Sequence, residues 1–237
     1  MKQFKIRCSA INDIAANGRG GGISVGAKTY CKKWVKDNYF NRNTSFFRSK
    51  YTDKGNEVEE QAINLIVDVL KLGMVYKNTE RKEDDFKTGE IDFLHKGVIL
   101  DNKSSYSLDT FPIFEDKLDV QYERQMKGYL DLWNVDKGLI CYTLIDTPID
   151  ILRNELRWIT DDDEKQEVAL NHLFTEKAFK EAKKNLFPKA KSITFTSIEN
   201  KHRVKVFEVK RDLEFINDIH LKVIGCQEYI IDLIKKL

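Results

Sequence analysis

The sequence predicts an α/β fold in which a mixed sheet is flanked by helices, with a basic helical segment ahead of it and a helical insertion behind. Three observations predict this. Residues 56–72 carry apolar side chains at helical spacing, residues 87–105 read as two short strands around a tight turn, and residues 115–134 return to helical spacing before a strand at 138–145. With 237 residues, 41% of them apolar and 11% aromatic, the chain can bury a core and is not of the disordered class. No apolar run approaches the roughly 18 residues of a membrane helix. The opening KQFKIRCSAIND has no apolar signal region, so a cytoplasmic protein is expected. Cys8, Cys31, Cys141 and Cys226 lie far apart with no CxxC pair, which suits reduced thiols rather than a zinc cage or a disulfide framework.

The net charge of +2 hides a polarised chain. Residues 1–54 hold 12 Lys and Arg against Asp13, Asp37 and Asp53, a net of +9, so the remainder carries −7. Phe4, Tyr30, Trp34, Tyr39, Phe40, Phe46, Phe47 and Tyr51 are interleaved with those cations, a composition that suits phosphate neutralisation and base stacking. A solvated basic helix packed on an acidic neighbour would look the same.

In chain order, a short element at 5–16 and a glycine-rich loop at 17–26 precede a helix from about Lys28. The loop's GISVGAKT is not a phosphate loop, because Ala27 separates Gly26 from Lys28. Residues 147–191 are charged and helical in pattern, with DDDEK as an acidic helix start, and read as an insertion. SITFTSI and RVKVFEV are expected to pair as a hairpin across ENKH, and a final amphipathic helix spans 213–237. The expected organisation is one domain over 1–237, made of a basic segment 1–54, a core 55–146, the insertion 147–191 and a closing hairpin and helix 192–237.

The stretch GEIDFLHKGVILDNK carries the chemistry. With Lys96-Gly97 as a two-residue loop, His95 faces Val98, and the same register sets Asp92 opposite Asp101. Like charges about 4.5 to 5.5 Å apart across two strands repel, so a positive group is expected between them. Lys103 projects from that face by the period-2 rule, as does Glu90. Two converging carboxylates with a backbone carbonyl nearby suit a hard cation such as Mg²⁺, and a lysine beside it can orient or deprotonate a water. Ordinary surface ion pairs on an exposed hairpin are the bland alternative.

Two helices flank the hairpin. Glu59 lies on the apolar stripe of Ala62, Ile63, Ile66, Val67 and Leu70, where a carboxylate needs a partner, whereas Glu57 faces water. Gln125 sits within the stripe of Leu118, Tyr122, Met126, Tyr129 and Trp133, four residues before Tyr129 and so adjacent to it on the helix. His95, His172, His202 and His220 show no ligand spacing.

Taken together, these motifs resemble the PD-(D/E)xK nuclease superfamily, within it the RecB-like group of lambda-type exonucleases and YqaJ-type viral recombinases. Gly55-Asn56-Glu57-Val58-Glu59 with Ala62 is similar to that family's G-x-x-x-E-x-x-A helix. Gly89 to Asp92 is similar to its G-x-x-D strand, Asp101-Asn102-Lys103 to its (D/E)-x-K, and Gln125 to Tyr129 to its Q-x-x-x-Y. Ile6-Arg7-Cys8-Ser9 is placed like a serine-bearing segment near the DNA end. Ile91 stands where proline often precedes the aspartate, and Asp101 where glutamate is common.

The resemblance implies a restriction-endonuclease-like core and phosphodiester hydrolysis dependent on Mg²⁺, with Mn²⁺ substituting. Glu59, Asp92, Asp101 and the Asn102 carbonyl would hold the metal, Lys103 would position or deprotonate the water, and Gln125 and Tyr129 would steady it or the DNA backbone. Arg7, Ser9 and Lys28 would contact a terminal phosphate. The implied activity is 5′-to-3′ exonuclease on double-stranded DNA ends in phage-type recombination, with a homo-oligomer (a ring trimer) and a single-strand annealing protein as partners. A single-strand or structure-specific nuclease, or a non-catalytic DNA-binding accessory protein, are the alternatives.

Overall fold

The computed structural model describes residues 2–42 and 49–237; Phe46 and Phe47 of the aromatic set lie outside them. Strand β1 (Ile6–Arg7) leads through a single 3-10 turn into the short helix α1 (Ile11–Ile14). The Ser24 hydroxyl accepts the Ala27 N–H at 3.1 Å and starts α2, Val25–Tyr39, three residues before the expected Lys28. Helix α3, Lys50–Leu70, also starts earlier than periodicity predicts, because Ser49 caps it by accepting from Thr52 N at 3.2 Å. That cap offsets the cost of about 1 kcal/mol for Gly55 inside the helix.

Four short strands follow: β2 (Arg81–Glu83), β3 (Lys87–Glu90), β4 (Phe93–His95) and β5 (Val98–Ser104). The stretch expected to give two strands gives three, because pairing breaks at Ile91–Asp92. Strand β3 joins a three-stranded sheet ordered β1-β3-β2, while β4 and β5 join a four-stranded one with β6 (Lys137–Thr143) and β7 (Val204–Lys210), ordered β4-β5-β6-β7. Lys96 and Gly97 both have positive φ, 48° and 77°, the conformation of the tightest hairpin turn, and His95 faces Val98 as that turn dictates. Glu90 is a correction: it pairs with Arg81 across β2 and β3 instead of facing Lys103.

Parallel strands β5 and β6 are joined through helix α4, Val120–Trp133, which starts five residues later than expected because the Asp119 carboxylate caps Gln121 N at 2.7 Å. Helices α5 (Ile149–Leu156), α6 (Asp162–Leu170) and α7 (Glu176–Leu186) enclose an apolar cluster of their own around Leu156, Phe179 and Phe187. The hairpin expected from SITFTSI and RVKVFEV does not form. Phe195 stacks on Phe179 at 4.4 Å and Ile198 N bonds Phe174 O at 2.9 Å, so the first half packs on the insertion while β7 pairs antiparallel to β6. Helix α8, Leu213–Ile234, closes the chain.

The sheet is covered on both sides. Ile99 and Ile140 face a core shared with α4, α1, α2 and α8, whereas Leu100 and Cys141 face α3 through Ile63 and Ile66. By the two-residue period Asp101 and Lys103 share the α4 side with Ile99. Gly128 lets the N-terminal turn touch α4: a Cβ there would lie 2.4 Å from Ile11 Cδ1 and 3.0 Å from Cys8 Sγ.

A buried ammonium ties three of these elements together. Lys87 Nζ on β3 is fully buried and lies 2.5 Å from Asp84 Oδ2, 2.7 Å from Asp131 Oδ2 of α4 and 3.1 Å from His220 Nε2 of α8. Burial raises the pKa of each carboxylate, but the lysine contacts outweigh it and hold both below the usual range. Replacing Lys87 with Met should destabilise the protein in urea unfolding at pH 7 by up to about 3 kcal/mol, because Asp84 loses its lysine and Asp131 keeps only Arg211. The deficit should hold down to about pH 4 and shrink below it, as the pH falls through the depressed pKa values of the wild-type carboxylates.

Candidate active site

The hairpin ladder ends at Phe93–Leu100, and one residue beyond it Asp92 comes beside Asp101 in the middle of β5. Asp92 Oδ2 accepts the backbone N–H of Asn102 at 2.6 Å, so the main chain of one strand holds the carboxylate of the other. Asp101 is 2% exposed; its Oδ2 takes no well-directed hydrogen bond, and the Lys103 ammonium lies 2.6 Å from it, off the hydrogen-bonding direction. Lys103 also lies over the Tyr122 ring, 4.9 Å from its centroid, which confirms that it points toward α4. The Asn102 side chain is engaged elsewhere, accepting from Thr143 Oγ1 at 2.8 Å and donating to Ser104 at 2.9 Å, so what it can offer the site is its backbone carbonyl.

The electrostatics follow from this packing. Burial, and then the Asp101 charge, push Asp92 up to about 7, with Glu59 adding to the rise and the Asn102 N–H and Lys103 opposing it. Burial works to lower the Lys103 pKa, yet the neighbouring Asp101 and Asp92 charges outweigh it and raise it, so this lysine is an ammonium at neutral pH. Tyr129 is raised by burial and by Asp101, so its phenol keeps its proton. Gln125 Nε2 donates to Tyr129 Oη at 2.9 Å, which leaves the phenol hydrogen for another acceptor. Gly89 makes room for this ring, since a Cβ there would lie 2.7 Å from Tyr129 Cε1.

Glu59 reaches the same neighbourhood from α3, where its Oε2 meets Lys77 Nζ at 2.6 Å. The sequence did not mark Lys77. It stands on the 71–80 connection, which Asn78 pins to the aspartate strand by donating from its backbone N to Asp92 O at 2.7 Å and from Nδ2 to Ile91 O at 3.1 Å. Arg7 and Ser9 are exposed on either side of Cys8, whose sulfur packs where Cβ atoms of Gly89 and Gly128 would sit; Arg7 pairs with Thr88 and so projects from the face of β3 opposite the one that Gly89 turns to Tyr129. Lys28 is not with them. Arg7 lines a hollow of about 560 Å³ with Lys5, Lys33 and Arg81, whereas Lys28 lines a different one with Asp218 and Tyr229.

A cation fits the donor set. Asp101 Oδ2 is a buried anionic oxygen lacking a directed donor, and Asp92 is raised by burial and by the Asp101 charge beside it, so a hard cation would satisfy both. Among the described residues, the group of three ligand-type side chains whose atoms all lie within 4.8 Å of one another is a different one, Asp84, Asp131 and His220. Its centre is filled by Lys87, so it is an ion-pair hub; His220, read from the sequence as having no ligand spacing, belongs to it.

The molecule resembles solved nuclease structures along nearly its whole length. The phage related exonuclease from Haemophilus somnus 129PT matches with 28% identity over 99% of this chain and 97% of that one, at a TM-score of 0.75. The chain has the fold of the lambda-type exonucleases of the PD-(D/E)xK superfamily. The alkaline exonuclease LHK-Exo from Laribacter hongkongensis, at 10% identity, covers 98% of this chain and 90% of its own at a TM-score of 0.61, and its complex with dAMP superimposes at 0.60. No protein-family model and no curated protein matches the chain. Exonuclease neighbours support a nuclease.

Asp92 gives the chain a measurable signature. Its folded pKa lies above its unfolded value of about 4, so the stability tied to the neutral acid is full below pH 4 and is lost as pH rises through about 7. In chelator, Asp92→Asn should flatten the fall of Tm between pH 4 and 7 and should be more stable than wild type at pH 8.

Proposed function

We propose that the protein is a divalent-metal-dependent deoxyribonuclease, an exonuclease that cuts 5′ to 3′ from double-stranded DNA ends in phage-type recombination. The observation that carries the chemistry is the Asp92–Asp101 pair with the Lys103 ammonium against Asp101. A phage related exonuclease 28% identical over nearly the full length supports the nuclease class, and the dAMP complex of LHK-Exo is in keeping with DNA as substrate.

Glu59, Asp92, Asp101 and the Asn102 carbonyl would hold Mg²⁺, with Mn²⁺ as substitute. The bound metal would polarise the phosphate and make a water more acidic. The chain's own groups do the rest. Lys103, as an ammonium, holds the attacking water or a non-bridging phosphate oxygen by a charge-assisted hydrogen bond and stabilises the negative charge that grows there. Tyr129, with Gln125 fixing its oxygen, donates its free phenol hydrogen to the same region. Water attack forms one P–O bond as the bond to the leaving oxygen breaks; the water gives up its proton to bulk solvent and the leaving oxygen takes one up from it. Arg7 and Ser9, both exposed, would receive a terminal phosphate, a role that rests on the family resemblance; Lys28 would contact the backbone elsewhere. A ring-shaped homotrimer and a single-strand annealing partner belong to the same proposal, and they rest on the family resemblance alone.

Asp101→Asn and Lys103→Ala should each lower Mg²⁺-dependent degradation of end-labelled linear duplex by at least about 100-fold, with circular dichroism unchanged. Unchanged activity removes the site. Comparing linear, circular and 5′-phosphorylated substrates tests the end requirement, and a wild type that binds DNA but never cuts it with Mg²⁺ or Mn²⁺ is instead a non-catalytic accessory protein.

A further inference from the structure

The connection between α3 and β2 presents an unusual surface. Leu72 and Val75 turn inward against the α3 side of the sheet, and Asn78 is bonded to the main chain of Asp92 and Ile91, so the segment is anchored at both ends. Between those anchors the other side chains point out. Tyr76 is 77% exposed and Met74 78%, with Tyr76 Oη 2.9 Å from Met74 Sδ, and next to them the Lys77 side chain is 55% exposed. An exposed aromatic beside a cation, held rigidly at the edge of a carboxylate site, is the composition that grips a nucleic acid strand through stacking and phosphate contact.

The Lys77 ammonium lies 2.6 Å from Glu59 Oε2, and the charges of Asp92 and Glu90 also act on it. A cation drawn to Glu59 carries the same sign, so it repels the ammonium and breaks that pair. Lys77 has a long exposed stem and no second partner among its recorded contacts, whereas Lys103 is locked beside Asp101.

From this we infer that Lys77 and Tyr76 form a substrate-binding wall, in which Lys77 leaves Glu59 when the cation binds and contacts a phosphate of the strand being cut, while Tyr76 packs on the neighbouring sugar or base. The inference rests on the nuclease reading of the site. It makes Lys77 a competitor of the metal and a ligand of the DNA, two roles with opposite consequences for one substitution.

The test is Lys77→Ala, with Lys77→Arg and Tyr76→Phe as conservative controls. Both positions, 76 and 77, are on the surface, and thermal melting checks the fold. Mn²⁺ affinity is read by electron paramagnetic resonance without DNA, and DNA affinity by anisotropy of a labelled duplex in Ca²⁺, where no cutting is needed. Lys77→Ala should bind Mn²⁺ at least as tightly as wild type, yet bind DNA about ten-fold more weakly. The slope of log affinity against log salt should become shallower by about one. Lys77→Arg should restore the slope, and Tyr76→Ala should weaken DNA binding where Tyr76→Phe does not. Equal salt slopes and equal DNA affinities for wild type and Lys77→Ala overturn the wall. A wild type that binds DNA but does not cut it with Mg²⁺ or Mn²⁺ overturns the nuclease reading alone, and the affinity comparison still decides for or against the wall.

Discussion

Two carboxylates forced to face one another dominate this molecule. The turn at Lys96-Gly97 sets a register that runs to Phe93–Leu100 and delivers Asp92 next to Asp101, which is buried on the α4 side while Asp92 is half-buried. Their repulsion is only partly relieved, by one lysine and one backbone N–H. The surrounding features answer that tension: the ammonium of Lys103, the protonated phenol of Tyr129 and the approach of Glu59 from the opposite helix.

Lysines resolve the molecule's charge problems in two ways. Lys87 is sealed in the interior and neutralises Asp84 and Asp131, joining β3, α4 and α8 through partners that are themselves half-buried. At the site the balance is left open. Lys103 meets one oxygen of one aspartate, and Lys77 meets Glu59 from a solvent-facing loop. The first arrangement is finished without any ion; the second still has a negative charge to match. The distinction explains why the tightest cluster of ligand-type atoms in the described chain is not where a cation is wanted.

Much of the site was legible because it depends on short-range rules. The positive φ values of a two-residue loop fix which strand residues face each other, and a four-residue helical step is enough to join Gln125 to Tyr129. Lys77 could not be read, since it meets a residue 18 positions away only because the connection folds back under Asn78. Lys28 was misplaced for the same reason: its helix turns it toward α8 and Tyr229. SITFTSI has the alternation of a strand, yet Phe195 found a stacking partner in α7 before any ladder could form. Local pattern says what a segment could pair with, and tertiary competition selects among the offers.

The contact from Asn102 to Asp92 has a further consequence. It is made by main-chain nitrogen, while the amide side chain at the same position faces Thr143 and Ser104. Any residue other than proline supplies that nitrogen. The acid's orientation is thus fixed by topology instead of by the identity of residue 102, so a change of side chain there leaves the anchoring nitrogen in place.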